Sequence, residues 1–178
     1  MAVVGAIVLV VSATTAALAA KGPPPKHATV TAVQKIKVKI NRYIQDGLRW
    51  NKDTYQVRSG GTIKVVNRAA GEGPHTLTVV NRKDLPRTAK QINECAICQK
   101  LGEAHGADPN SEAPPKFLYL ENGVGQDTPP DLDRAGDSGV TGDKKGDSIS
   151  FKVTAKKGTT LHFMCLIHPW MQGKILVR

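Results

Sequence analysis

The stretch Thr160-Leu161-His162-Phe163-Met164-Cys165-Leu166-Ile167-His168-Pro169-Trp170-Met171-Gln172-Gly173, running into Ile175-Leu176-Val177, decides how the chain is read. Leu161, Phe163 and Cys165 fall on alternate positions, the two-residue period of a strand with one face in a core, so the thiol is expected to point inward at a strand tip. Pro169 biases His168 away from helical geometry, and Gly173 is expected to let the chain turn back into a last strand. Within seven positions, Cys165, His168 and Met171 offer a thiolate, an imidazole and a thioether. That soft donor set selects copper over hard metals. A buried small hydrophobe beside a surface turn histidine would leave three donor types on one loop unexplained.

A copper site built for electron transfer takes two imidazoles and one thiolate in a near-trigonal plane, with a long, weak axial thioether. A second histidine is therefore needed from a neighbouring strand. Gly73-Pro74-His75-Thr76-Leu77-Thr78-Val79-Val80 supplies it. His75 follows the Gly73-Pro74 turn and heads a run rich in β-branched residues.

These pieces resemble the cupredoxins, and Cys165-x-x-His168-Pro169-x-Met171-x-Gly173 is similar to the ligand loop of amicyanin. Plastocyanin and pseudoazurin have a longer gap between histidine and methionine. The resemblance covers residues 28–83 and 137–178. It implies an all-β, Greek-key sandwich holding one type 1 copper ion on His75, Cys165, His168 and Met171. It also implies single-electron transfer between redox protein partners, not an enzymatic activity. Asn67, in Val65-Val66-Asn67, is similar to the family's asparagine that ties the ligand loop to the neighbouring strand. In one departure, Leu166 stands where relatives carry Thr or Ser, so that side-chain hydrogen bond has no donor here.

The rest of the chain fits short strands. Thr29 to Ile40 is expected as a long first strand with Lys35, Lys37 and Lys39 as its solvent face, and Gln45-Asp46-Gly47 as a turn. Tyr55 to Arg58, Gly60-Gly61 and Thr62 to Asn67 follow the pattern strand, hairpin turn, strand. His75 to Val80, Ser148 to Val153, Thr160 to Cys165 and Lys174 to Val177 complete a sandwich of six or seven strands. His162 alternates away from Cys165 and is expected at the surface. Trp170 is expected in an exposed apolar patch at the sandwich tip.

Residues 84–136 are expected as an insertion between the strand of His75 and that of Cys165. Thr88 to His105 has helical spacing, with Ile92, Cys95 and Gln99 along one side. Residues 106–136 are rich in Pro, Gly and Asp, with one strand at Lys116 to Leu120; a loop this long is functional or poorly ordered. Gly136-Asp137-Ser138-Gly139 and Gly146-Asp147-Ser148 are expected as turns. Cys95 and Cys98 admit a local disulfide, a second metal site recruiting His105, or a redox pair. Gln99 stands where covalent haem attachment needs histidine.

Residues 1–20 carry no charge, contain the apolar run Ala2 to Val11 and end Ala17-Leu18-Ala19-Ala20 before Lys21. They are expected to be a secretory signal or, uncleaved, an N-terminal anchor and the route of any membrane association. Residues 21–27 are expected as a proline-rich spacer before a cupredoxin domain at 28–178, which places the protein outside the cytoplasm, in the periplasm, at the cell surface or secreted. The net charge of +10 is unevenly spread: residues 84–147 hold 12 acids against 7 bases and sit near −5, leaving the remainder near +15. Basic residues without stacking aromatics or a recognition helix exclude nucleic acid as the expected partner. Five histidines in one domain do not furnish the second copper site that an oxidase or reductase needs. The alternative, a copper carrier or storage protein, would use Met-rich or His-rich clusters, and the chain has three methionines.

Overall fold

The computed structural model describes residues 22–69, 71–108, 110–111 and 113–178, so the expected signal or anchor over residues 1–20 lies outside the described residues. The strands, in chain order, are β1 (His27–Val33), β2 (Lys37–Lys39), β3 (Tyr43–Gln45), β4 (Arg49–Trp50), β5 (Thr54–Val57), β6 (Thr62–Asn67), β7 (Thr76–Val80), β8 (Tyr119–Glu121), β9 (Val124–Gln126), β10 (Ser138–Val140), β11 (Ser148–Lys152), β12 (Thr160–Met164) and β13 (Gln172–Val177). A 3-10 turn (Arg82–Asp84) and two α-helices, α1 (Ala89–Asn93) and α2 (Ala96–Ala104), lie among the described residues between β7 and β8.

One sheet runs β11-β6-β1-β4 and the other β5-β13-β12-β7-β10-β8-β9. β1 is parallel to β6 and β5 is parallel to β13, so the chain crosses between sheets as a Greek-key sandwich requires. The Gly60-Gly61 turn therefore does not close the expected hairpin; it passes the chain from β5 in one sheet to β6 in the other, with Gly60 at φ +75°. Alternation could not tell these apart. Tyr55 and Val57 on one strand, and Ile63 and Val65 on the other, face the same core from opposite sides.

Val30, Ile63, Val65 and Phe151 meet Leu77, Val79, Leu161, Phe163 and Ile175 in that core, each buried side chain stabilising the fold by roughly 1.5–3 kcal/mol. Gly173 lies inside β13 opposite Phe163, where a Cβ would fall 2.6 Å from the ring. The glycine is there for this close approach and not for the expected turn.

The long first strand is a second correction. β1 ends at Val33, and among the described residues β2 and β3 pair only with each other, in the register Lys37–Gln45, Val38–Ile44, Lys39–Tyr43. Ile36, Val38 and Ile40 are 55%, 59% and 79% exposed. A period of two specifies strand geometry but not whether the apolar face meets a core. The expected spacer also ends early: the carbonyls of Pro25 and Lys26 accept from the amides of Arg58 and Thr62, both at 2.9 Å, so the chain is already fastened to the sandwich before β1.

The insertion is more ordered than its composition suggests. Thr88 caps α1, its hydroxyl accepting from the Gln91 amide at 3.2 Å. The expected single helix breaks at Glu94-Cys95, and Cys95 and Cys98 form a disulfide, leaving Cys165 as the free thiol. β8 and β9 extend the larger sheet through β10. Gly136 does turn, at φ +104°, but Ser138 already belongs to β10. Buried Asp137 accepts from the amides of Asn122, Asp133 and Arg134 at 3.0–3.1 Å and so organises the approach to that strand.

α2 lays Leu101 and the disulfide over Val80, Leu120, Met164 and Leu166 on the outer face of the larger sheet. This second apolar layer explains why all five residues of β7 are buried. A strand covered on both faces loses the solvated side that alternation would otherwise show.

Candidate metal centre

Three donors meet at one end of the sandwich. His75 comes from the head of β7, Cys165 follows β12, and His168 lies on the loop between β12 and β13. Cys165 Sγ is 3.6 Å from His168 Nδ1 and 4.0 Å from His75 Nδ1, and the ligand atoms of the three all lie within 4.8 Å of one another. An ion about 2.0–2.1 Å from nitrogen and 2.3 Å from sulfur in a trigonal plane separates its donors by roughly 3.5–3.8 Å. The side chains are thus spaced for a single ion. Met171 is 1% exposed on the same loop and packs in the core cluster that contains Cys165.

The loop is held from several directions. The Cys165 amide donates to the Met171 carbonyl at 3.0 Å, and the Met171 amide to the His168 carbonyl at 2.8 Å. Trp50 Nε1 donates to that same Met171 carbonyl at 3.0 Å from inside the core, and Trp170 Nε1 to the Leu48 carbonyl at 2.9 Å from outside. Pro169 is buried, while Trp170 is 47% exposed and meets the His168 ring edge-on at 5.3 Å, in keeping with the expected apolar patch.

Asn67 is fully buried but does not tie down the ligand loop. Its Nδ2 donates to the carbonyls of Gly73 and Gly142 at 3.1 and 3.3 Å, and its Oδ1 accepts from the Ala69 amide, so it braces the turn through Gly73-Pro74 that delivers His75. Thr76 makes the tie instead. Its amide donates to Cys165 Sγ at 3.3 Å and its hydroxyl accepts from the Leu166 amide at 2.8 Å. The side chain missing at Leu166 is thus answered from the opposite strand. Thr141 clamps His75, its hydroxyl accepting from the His75 amide at 3.0 Å and its amide donating to the His75 carbonyl at 2.8 Å. Thr76, Thr141 and Trp50 went unread in the sequence, where nothing distinguishes them from other strand residues.

Thr76 is also the end of a buried chain. Its hydroxyl bonds that of Thr78 at 3.0 Å, Thr78 bonds Ser138 at 2.6 Å, and Ser138 bonds His105 Nε2 at 2.9 Å. His105 Nδ1 faces the Phe117 carbonyl at 2.8 Å, which can only accept, so Nδ1 carries the proton and Nε2 accepts from Ser138. His105, a candidate for a second metal, is instead the anchor between the insertion and β10. His162 is half-buried on the outer face of β12.

Electrostatics keep the two imidazoles in the neutral form a metal requires. Burial, reinforced by repulsion from His168, lowers the His75 pKa to about 4. Burial lowers His168 too, with Glu72 and Asp46 opposing. Burial pushes the Cys165 thiol up, against the Thr76 amide that favours its thiolate, so a metal must displace that proton. His75 Nε2 is buried without a hydrogen-bond partner among the described residues, which further penalises a charged ring. The sign for folding follows. Between its ordinary pKa of 6.5 and about 4, His75 takes up a proton in the unfolded chain but not in the folded one. Metal-free protein is therefore expected to lose about 2 kcal/mol of stability between roughly pH 7.5 and pH 5, with full stability above 6.5. Urea unfolding at the two pH values measures this; an unchanged midpoint contradicts it.

No family model matches the sequence, and no curated protein does. Among solved structures the chain is similar to dithionite-reduced auracyanin from Roseiflexus castenholzii, with 17% identity, a TM-score of 0.44 and coverage of 88% of this chain and 99% of that one. Auracyanin A from Chloroflexus aurantiacus, a blue copper protein, is 14% identical with a TM-score of 0.45, covering 86% and 99%. A purple cupredoxin from Nitrosopumilus maritimus is 12% identical with a TM-score of 0.39, covering 85% and 99%.

Proposed function

We propose that this chain is an exported type 1 copper protein of the cupredoxin kind, carrying single electrons between redox protein partners. One observation supports the reading most directly: a buried, unpaired thiol with two imidazole nitrogens at 3.6 and 4.0 Å, on a loop that also buries a methionine. Two imidazoles, one thiolate and a weak thioether form the donor set of a blue-copper site. When bound, copper supplies the Cu(I)/Cu(II) couple and the thiolate charge-transfer colour.

The residues of the chain make that couple fast. Thr76, Thr141 and Trp50 hold the donors by backbone and loop hydrogen bonds, so little moves when charge changes. His75 is the enclosed imidazole and His168 the half-buried one, so the electron is expected to leave across the His168 edge beside Trp170. Export is supported by the uncharged apolar start of the sequence and by the Cys95–Cys98 disulfide, which suits an oxidising compartment.

An optical and electron-paramagnetic spectrum of the copper-loaded protein tests the reading. An intense blue band with narrow copper hyperfine splitting is expected; a colourless site that exchanges its metal readily means a carrier or storage protein. Met171→Ala is expected to keep its colour with a shifted potential, because an axial thioether tunes more than it binds. Loss of copper from that variant makes Met171 a principal ligand instead.

A further inference from the structure

The ribbon of β2 and β3 has no counterpart in the electron-transfer reading. Its cross-strand pairs put Val38 with Ile44 on one face, joined by Ile36 and Ile40, and Lys37, Gln45, Lys39 and Tyr43 on the other. Ile36, Val38, Ile40 and Ile44 are 55–79% exposed, as is Tyr43 at 54%. Lys35, Lys37, Lys39 and Arg42 are exposed beside them, and the only acid from residue 34 to residue 47 is Asp46, which accepts from the Leu48 amide at the root. The root is fixed: a Cβ on Gly47 would lie 2.6 Å from the Lys35 carbonyl oxygen. Leu48, next in sequence, holds Trp170 of the ligand loop, so the ribbon rises at the His168 end.

Among the described residues the ribbon has no third strand, and a two-stranded ribbon is marginal in water, the more so with an aliphatic face left bare. The composition of this ribbon identifies what covers it. Protein interfaces favour Tyr, Trp, Phe, Met and Arg and are depleted in Lys, whereas this face is Ile and Val, and three of the four cations beside it are lysines. Aliphatic side chains that enter the acyl boundary, with cations beside them at the headgroups, make a surface for anionic lipid. Three residues of strand span about 10 Å. That length matches the roughly 5–10 Å to which interfacial elements bury their apolar faces.

We propose that this ribbon docks the protein on an anionic bilayer, its apolar face in the headgroup–acyl boundary and its basic side chains against the lipid phosphates. Docking would set the His168 end toward the membrane surface. The proposal holds whichever metal the site carries.

The test uses the full copper-loaded chain and phosphatidylcholine vesicles with and without phosphatidylglycerol, read by amide hydrogen exchange over residues 36–44 and by sedimentation. Reading the ribbon's own amides separates its docking from any binding through residues 1–20. Protection of the ribbon is expected only with phosphatidylglycerol, and is expected to be lost in Ile40→Asp/Ile44→Asp. Each cation near such a surface adds about fivefold, so Lys35→Gln/Lys37→Gln/Lys39→Gln is expected to weaken the vesicle-dependent protection about 100-fold. Both variants should keep the absorption spectrum and melting temperature of the parent, which separates failure here from failure of the copper reading. Ribbon amides unchanged by anionic vesicles overturn the proposal. So does equal protection without lipid at raised protein concentration, which marks pairing between copies, or protection by polyglutamate and not by vesicles, which marks an acidic protein partner.

Discussion

Cys165→Ala protein, loaded with copper, is expected to have no intense visible band at all. The colour of a blue-copper site arises from charge transfer between thiolate sulfur and metal, and Cys165 is the free cysteine, the other two being joined to each other. His75 and His168 remain, so the variant can still take up Cu(II) as a pale two-imidazole complex. The loss is thus one of character and not merely of occupancy. Cys165 is fully buried beside the core cluster, so removing one sulfur atom opens a small gap and leaves the strands in place. Circular dichroism of the metal-free variant should match that of the parent. Retention of the blue band in a folded Cys165→Ala protein overturns the whole metal assignment.

The donors were legible because each is a rare chemical type at a spacing that only a ligand loop explains. Cys165, His168 and Met171 lie within seven positions, and the structure brings His75 to 4.0 Å from the thiol across 90 residues. What surrounds them was not legible. Thr76 and Thr78 look in sequence like the solvent face of β7, because Leu77 and Val79 take the core side. Their outward face is covered only because the insertion folds back over it, and that contact joins residues far apart in the chain. Asn67 illustrates the same limit from the other side. The resemblance implies a tie to the ligand loop, yet the partners of Asn67 are Gly73 and Gly142, set by the crossing of loops and not by any local pattern.

The ribbon failed for the opposite reason. Lys35-Ile36-Lys37-Val38-Lys39-Ile40 is so regular that it extends the period of β1 past the single break at Gln34, and the pairing partners show where the sandwich ends. The helical spacing and the short strand of the insertion are legible, but not that α2 and β8 would supply the second cover of the larger sheet. A graft that buries Val80, Met164 and Leu166 belongs to the support of the metal site, since Met164 and Leu166 flank Cys165.

That support leads to Thr76→Val, expected to be the most destabilising of the conservative changes near the site. Valine keeps the shape and the backbone amide that donates to Cys165 Sγ, but removes the hydroxyl that accepts from the Leu166 amide and bonds Thr78. The Leu166 amide loses its buried acceptor, whereas the Thr78 hydroxyl keeps Ser138 at 2.6 Å. Leaving a buried donor unpaired costs about 1–3 kcal/mol, and the Leu166 amide is the group so left. In a chain of this size each kcal/mol lowers the melting temperature by about 2–4 °C, placing the variant on the order of 5 °C below the parent. Thr76→Ser, which restores the hydroxyl, should recover most of that loss, as a merely steric role for the side chain would not allow. Because the Leu166 amide is the first bond after Cys165, the same variant should also shift the thiolate charge-transfer band, while Thr76→Ser leaves it in place. A Thr76→Val protein that melts with the parent and absorbs at the same wavelength would mean that the chain from His105 to Leu166 bears neither on the fold nor on the thiol.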